Sequence, residues 1–255
     1  MRYFAELKYD GSAYCGWQRQ PEVQTVQGTL DAALSTLLRM PAETVGAGRT
    51  DTGVHAAYYV AHFDCPEPIA DTERFVYKLN MILPADIAVD AISPVGDDAH
   101  ARFSATEREY LYIIERRKNP VSRNASWQYY VPLDIDRMNE AAAVLAGFDD
   151  FTSFAKLNSN NKNNICRLLH AGWIETGSEL RFTIRADRFL RNMVRAVVGT
   201  LVDVGRGRLT VDDFRDIVAS RDLSRSSAGA PARGLFLNDV KYPDEVFVRS
   251  SDRRL

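Results

Sequence analysis

Residues 168–186 read LLHAGWIETGSELRFTIRA, and this stretch decides the fold class. Two strand-like runs, Leu168 to Glu175 and Leu180 to Ala186, flank a turn at Thr176-Gly177-Ser178. Strands joined so closely run antiparallel, which a doubly wound parallel sheet does not allow. Working outward, a strand covers Tyr110 to Glu115 and a helix Ile135 to Ala146, carrying Met138, Ala142 and Leu145. After the hairpin come a long helix from Phe189 to Val204, a short one from Val211 to Ala219, and a strand from Leu235 to Tyr242. The first hundred residues form a similar series. A strand spans Arg2 to Tyr9, and a helix from Thr25 places Val26, Leu30, Ala33, Leu34, Leu37 and Leu38 at helical spacing before Pro41 stops it. A Gly-rich loop, a strand from Ala57 to Phe63, a helix from Glu73 to Met81 and a strand from Ile87 to Ile92 follow. Some strands are joined by hairpins and others by helices, so the expected class is α+β with largely antiparallel sheets. The expected division is 1–105 and 106–255, with a linker around Asp97 to Thr106.

The chain has 255 residues, 45% apolar and 26% charged, enough for a large core. No apolar run approaches the ~18 residues a spanning helix needs. The N-terminus alternates where a secretory signal would be continuously apolar, so no membrane association is expected. Cys15, Cys65 and Cys166 are scattered and odd in number, which argues against a disulfide framework and for a cytoplasmic protein. The net charge of −2 excludes a uniformly basic surface. Arginine nevertheless outnumbers lysine 26 to 6, and a guanidinium is the better fork for phosphates and bases. Arg181 to Arg208 and Arg102 to Arg123 are locally basic, so a basic region on a near-neutral body is expected.

The chemistry concentrates in GAGRTDTGVH, residues 46–55. G-x-G-x-x-G would need glycine where Asp51 stands, and no lysine follows as in a P-loop; a carboxylate there would repel a pyrophosphate. A glycosidase pair needs a second opposed carboxyl group, and a serine hydrolase needs a nucleophile elbow; neither is present. His55, His62 and Cys65 do not have metal-ligand spacing, so no metal is expected. By local features alone, Asp51 reads either as the cap of an Asx-turn with Arg49 solvated, or as a lone working carboxylate.

GRTDTGVHA closely resembles the active-site motif of the tRNA pseudouridine synthase A family. YDGSAYCGWQRQ at 9–20, HARFSATEREYLY at 100–112, DDFTSF at 149–154, FLRNMVRAVVGTLVDVG at 189–205 and RGLFL at 233–237 resemble its other motifs, in order and over nearly the whole chain. The resemblance implies two similar ferredoxin-like α/β halves with a central cleft. It implies a homodimer that isomerises uridine to pseudouridine at positions 38 to 40 of the tRNA anticodon stem-loop, without a cofactor. By the same resemblance Asp51 is the catalytic aspartate and Arg191 its basic partner. Tyr110 stacks near the target base, Leu235 packs against it, and Arg49 helps extrude it. His100, Arg102, Lys118, Asn158, Lys162, Arg188 and Arg195 are the implied tRNA contacts. Helix arithmetic is consistent with a shared face for Arg188, Arg191 and Arg195, spaced i, i+3 and i+7.

Overall fold

The computed structural model describes residues 1–156 and 163–248. The chain forms two compact units, Met1–Thr106 together with the segment from Leu237 onward, and Glu107–Phe236. The first boundary falls at the end of the expected linker. The last segment departs from the simple expected halves, because its final aromatics pack on the first unit. Phe4 lies 5.0 Å from the ring of Tyr242 and 6.1 Å from that of Phe247, and Val95 bridges to Phe247.

The first unit is built on β1 (Arg2–Tyr9), with β3 (His55–Asp64) and β4 (Ile87–Val95) antiparallel on either side. A two-residue strand, β2 (Val45–Gly46), pairs with β3. In β1, Tyr3, Phe4, Ala5 and Leu7 are all buried, as befits a central strand covered on both faces. Helix α1 (Val26–Leu38) is capped by the Thr25 side chain, which accepts from the Gly28 N–H. It stops at Arg39, in the left-handed region at φ 57°, just before Pro41. Its buried face is Val26, Leu30, Ala33 and Leu34. Helix α2 (Thr72–Ile82) is capped by Asp71 in the same way and precedes β4.

The second unit pairs β8 (Glu179–Ala186) with β5 (Glu107–Glu115) on one side and β7 (Leu168–Thr176) on the other, all antiparallel. The β7–β8 hairpin closes where Thr176 faces Glu179, with Gly177 at φ +61° taking the left-handed turn position. Leu180, Phe182, Ile184 and Ala186 alternate inward along β8. A second short strand, β6 (Trp127–Gln128), pairs parallel with the end of β5. Helices α3 (Ile135–Val144), α4 (Met193–Gly205) and α5 (Val211–Ser220) pack together, and strand β9 (Leu235–Lys241) leads out of the unit. Helix α4 is buried almost all round, and Gly199 on it admits the Ala228 backbone so closely that a Cβ would collide with the Ala228 carbonyl oxygen.

Each unit locks one strand of its sheet with an asparagine. Asn80 of α2 donates to the Val89 carbonyl and accepts its N–H, both at 2.8 Å. Asn139 of α3 does the same for Trp173, at 3.1 and 2.7 Å. A side-chain amide offers one donor and one acceptor, as a neighbouring strand's peptide would, so these backbone groups are satisfied without one.

One expectation is corrected. The long helix begins at Met193, not at Phe189, because Asn192 sits in the left-handed region at φ 66°. Asparagine tolerates that region better than most residues. The Met193 N–H bonds back to the Leu190 carbonyl, while the Arg191 carbonyl accepts from Lys156. Leu190 is buried and continues the apolar spacing of the helix, which is why the sequence reads as helical there. Arg188 and Arg191 therefore precede the helix and share no helical face with Arg195.

Candidate active site

The loop carrying Asp51 runs from β2 to β3 and is pinned by residues more than thirty positions earlier. The rings of Trp17 and Tyr59 stack at 4.1 Å, with Tyr9 tilted 5.6 Å from Tyr59. Gly46 lies against this cluster; a Cβ there would collide with the Tyr59 hydroxyl and come within 2.6 Å of the Trp17 ring. The hydroxyls of Tyr9 and Thr50 share a buried hydrogen bond of 2.8 Å, and the Tyr59 hydroxyl donates to the Gly48 carbonyl. The Trp17 N–H donates to the Thr50 carbonyl at 3.2 Å, and the Gly53 N–H to the Tyr14 carbonyl at 3.3 Å. A turn closes the loop, with the Val54 N–H on the Asp51 carbonyl at 3.1 Å and Gly53 at φ +77°. Thr50 and Val54 are buried, whereas Asp51 is half-buried and Thr52 exposed. The backbone on both sides of Asp51 is thus fixed while the residue itself keeps part of its surface exposed. That is the arrangement a preorganised catalytic group needs.

Arg49, two residues earlier, is exposed, and its Nε donates to Gln18 Oε1 at 2.8 Å. His55, buried at the start of β3, accepts the Gly11 N–H at Nδ1 (3.2 Å) and lies 3.1 Å from the Asp10 carboxylate. It braces the Tyr9–Trp17 segment against the loop. Among the described residues, no three His, Cys, Asp or Glu side chains are placed to hold a metal ion.

His100 and Arg102 lie on a tight turn in the same unit. His100 Nδ1 accepts from the N–H groups of Arg102 and Phe103, and the Arg102 guanidinium lies 5.6 Å over the exposed Phe103 ring. The His100 ring also meets His62 edge-on at 4.7 Å. His62 is buried and accepts the Ala101 N–H at 3.0 Å, and burial, with Arg2 and His100 adding to it, lowers its pKa to about 4. Between that value and the unfolded value near 6.5, only the unfolded chain takes up a proton. Stability that is full above pH ~6.5 therefore drains away as pH falls toward 4. From pH 7.5 to pH 5 the wild type is expected to lose about 2 kcal/mol of unfolding free energy more than His62→Gln does. Urea titrations of both proteins at the two pH values check this, and parallel losses would refute it.

In the second unit, Tyr110 sits on β5 opposite Ile184, half-buried, with its ring edge-on to Phe189 at 5.0 Å. Arg188 and Arg191 belong to the turn before α4; Arg191 is exposed, and Arg188 donates to Asn163 Oδ1 at 3.2 Å. Arg195, in the first turns of α4, donates through Nε to the Ala230 carbonyl at 2.7 Å and receives the Ala230 N–H on its own carbonyl. That reciprocal pair ties the segment before β9 to the helix. Leu235 is buried at the head of β9. Lys118 is exposed on the loop after β5. Asn158 and Lys162 lie outside the described residues.

The residues that sequence reasoning did not connect to the loop are those that hold it, namely Tyr9, Tyr14, Trp17 and Tyr59, together with His55, which it weighed only as a metal ligand and set aside. Their signal is the run of aromatics and glycines in YDGSAYCGW, but nothing local says which loop that run grips. Phe189 beside Tyr110 was read as the start of a helix.

Comparison with known proteins places the chain in a family. A family model described as tRNA pseudouridine synthase matches residues 5–104 and 141–243. Tyr110 and Lys118 fall between the two matched stretches. The tRNA pseudouridine synthase A of Parabacteroides distasonis is 51% identical over 246 residues, covering 96% of this chain and 98% of that protein. The protein of the same name from Bacteroides fragilis is 50% identical over 247 residues, with 96% and 98% covered. That from Burkholderia cenocepacia is 41% identical over 255 residues, with 97% and 92% covered. With matches of this kind over nearly the whole chain, the chain belongs to the tRNA pseudouridine synthase family, isomerases that act on uridines in tRNA.

Proposed function

We propose that the protein converts uridine to pseudouridine at positions 38 to 40 of the tRNA anticodon stem-loop, with Asp51 as the catalytic carboxylate. What supports the reading above all is Asp51 itself, one half-buried acidic residue on a backbone fixed from both sides. The isomerisation breaks the N1–C1′ bond of the nucleotide and forms a C5–C1′ bond. C5 gives up its proton and N1 gains one, so the reaction needs neither water nor a redox partner. A lone carboxylate can serve it, by attacking sugar or base or by removing a sugar proton. In this reading Arg191 is the basic partner of the carboxylate, and Tyr110 and Leu235 are surfaces for the base. Arg49, His100, Arg102, Lys118, Asn158, Lys162, Arg188 and Arg195 contact the RNA. The same reading carries a homodimeric, cytoplasmic enzyme; light scattering of the purified protein tests the dimer.

The deciding experiment supplies tRNA transcribed with C5-tritiated uridine. Isomerisation at 38 to 40 releases tritium to water, and no release, or release that survives replacement of those uridines by cytidine, overturns the assignment. A second expectation concerns Arg49. A uridine in a stem must be turned out of its stack, at a cost of a few kcal/mol. The exposed guanidinium of Arg49, two residues before Asp51, would fill the vacancy by exchanging its Gln18 bond. Arg49→Ala is expected to lower kcat by about 100-fold while weakening tRNA binding less than about 5-fold, since phosphate contacts are many. Equal losses in kcat and affinity would make Arg49 an ordinary binding residue.

A further inference from the structure

The loop between β5 and β6, residues 116–126, is an ordered basic protrusion that the reading above uses only through Lys118. Its sequence is RRKNPVSRNAS, and no acidic residue occurs from Arg116 to Leu133. Arg116 is neutralised by an ion pair with Glu175. Arg117, Lys118 and Arg123 are exposed, and among the described residues none of the three is ion-paired. Val121 at the tip is 92% exposed, so the loop stands clear of the unit's own core.

A loop so charged and so exposed would ordinarily be loose. This one is held from beneath by a buried polar network. Glu115, 1% exposed, accepts from the Arg117 N–H at 3.3 Å and from Asn119 Nδ2 at 3.2 Å. Burial alone would raise its pKa, but hydrogen bonds from Ser178, Asn119 and the Arg117 and Arg116 backbone prevail and lower it, so the carboxylate is charged. Gln128 accepts the Asn119 N–H at 3.1 Å and donates to Ser126 at 3.0 Å, while the Ser126 hydroxyl donates to the Ser122 carbonyl at 2.8 Å. Asn119 Oδ1 accepts the Val121 N–H at 3.1 Å. The parallel pairing of Glu115 with Gln128 closes the loop's base.

We propose that Arg117, Lys118 and Arg123 form a clamp for the phosphate backbone of the tRNA, and that Glu115 is the positioning residue that holds the loop in its binding shape. The proposal rests on the tRNA reading for the identity of the polyanion. Three like charges on one short loop repel one another and have no ion-pair partner among the described residues, whereas a phosphate chain supplies a charge every few ångströms. Prior ordering removes most of the entropy that binding would otherwise cost. The contact is to backbone and not to bases, so it adds affinity across tRNAs of different sequence.

The test measures binding of unmodified tRNA by anisotropy at several KCl concentrations, alongside tritium release. Arg117→Gln/Lys118→Gln/Arg123→Gln is expected to bind about 10- to 100-fold more weakly at 0.1 M KCl, with the slope of log K against log salt reduced by about 2. kcat/KM should fall in parallel. Glu115→Gln removes a negative charge, so simple electrostatics would tighten binding; a loss of about 5-fold or more is expected instead, because the loop loses its anchor. An unchanged affinity and slope in the triple variant overturns the clamp, and would assign the loop to an acidic protein or lipid surface. Folded Glu115→Gln that binds as well as wild type overturns the anchoring role. Should Glu115→Gln fail to fold, the triple variant, altered only at exposed positions, still decides. Wild-type protein releasing no tritium overturns the tRNA isomerase reading, whereas the difference between wild-type and variant affinities judges the loop alone.

Discussion

Replacing Asp51 by asparagine is expected to abolish tritium release from C5-tritiated tRNA, by at least about a thousandfold, while the Kd for tRNA stays within about threefold of wild type. Asparagine keeps the shape of the side chain and removes its charge and its nucleophilic oxygen. The backbone at 51 should not move, because what fixes it lies elsewhere. Thr50 is held through Tyr9 and Trp17, Gly53 through Tyr14, and the turn closes through the Asp51 carbonyl, which the substitution keeps. Affinity resides in the many phosphate contacts, which one half-buried carboxylate does not provide. A thousandfold is about 4 kcal/mol of transition-state stabilisation, the usual scale for losing a covalent or proton-transferring group. Residual turnover within tenfold of wild type would remove Asp51 from the chemistry. A parallel collapse of binding would mean that the residue shapes the loop.

Gly16→Ala is expected to cost nearly as much without touching a reacting group. Gly16 adopts φ +82°, a conformation that side chains rarely accept, and a Cβ there would collide with the Thr50 carbonyl and lie 3.2 Å from the carbonyl carbon of Asp51. The nearest atoms are backbone, so no side chain can swing aside to make room. Strain at such a φ costs about 1 kcal/mol or more, and the close contact adds to it. The loop must shift, and a displacement of an ångström at a catalytic group is worth about 100-fold in rate. kcat should therefore fall about 100-fold or more in a protein that still folds and still binds tRNA. Gly147→Ala is the matched control, since a Cβ there meets nothing within 4 Å and the backbone is not in the left-handed region. If Gly16→Ala turns over like Gly147→Ala, the N-terminal segment does not position Asp51.

Both expectations depend on the same architectural fact. The motif that contains the carboxylate and the motif that contains Tyr9, Gly11, Tyr14, Gly16 and Trp17 are one structural object. Gly11 shows it again from the other side, because a Cβ there would collide with the Val54 carbonyl at the loop's far end. The buried His55 takes the Gly11 N–H and completes the join.

Much of this molecule was readable without its structure, for reasons that are local. The alternation of Leu180, Phe182, Ile184 and Ala186 around Gly177 specifies a hairpin because strand period and turn dihedrals are properties of adjacent residues. Helix α1 is legible from Thr25 to Pro41 for the same reason, and its start and stop follow side-chain capping and the loss of a backbone N–H. Residue type alone excludes phosphate cradles and paired-acid hydrolases at the Asp51 loop but leaves Asp51 open between a turn cap and a working carboxylate; the resemblance of its motif to a family is what singles it out. The strands β2 and β6, two residues each, escape notice because so short a run has no period. The start of α4 is misread because Leu190 keeps the apolar spacing, while the backbone obeys a left-handed Asn192 and a carbonyl bonded to Lys156.

What the amino-acid order determined alone is therefore the order of the longer elements, the α+β class and the chemistries that the Asp51 loop excludes. Tertiary structure decided what grips the Asp51 loop, where Phe4 finds Tyr242 and Phe247, and how a buried Glu115 orders a basic loop. The first two join residues tens to hundreds of positions apart, and the third closes a loop through the pairing of Glu115 with Gln128. Their energies come from packing and from satisfying buried polar groups, which depend on which surfaces meet, and no dihedral preference of neighbouring residues encodes that.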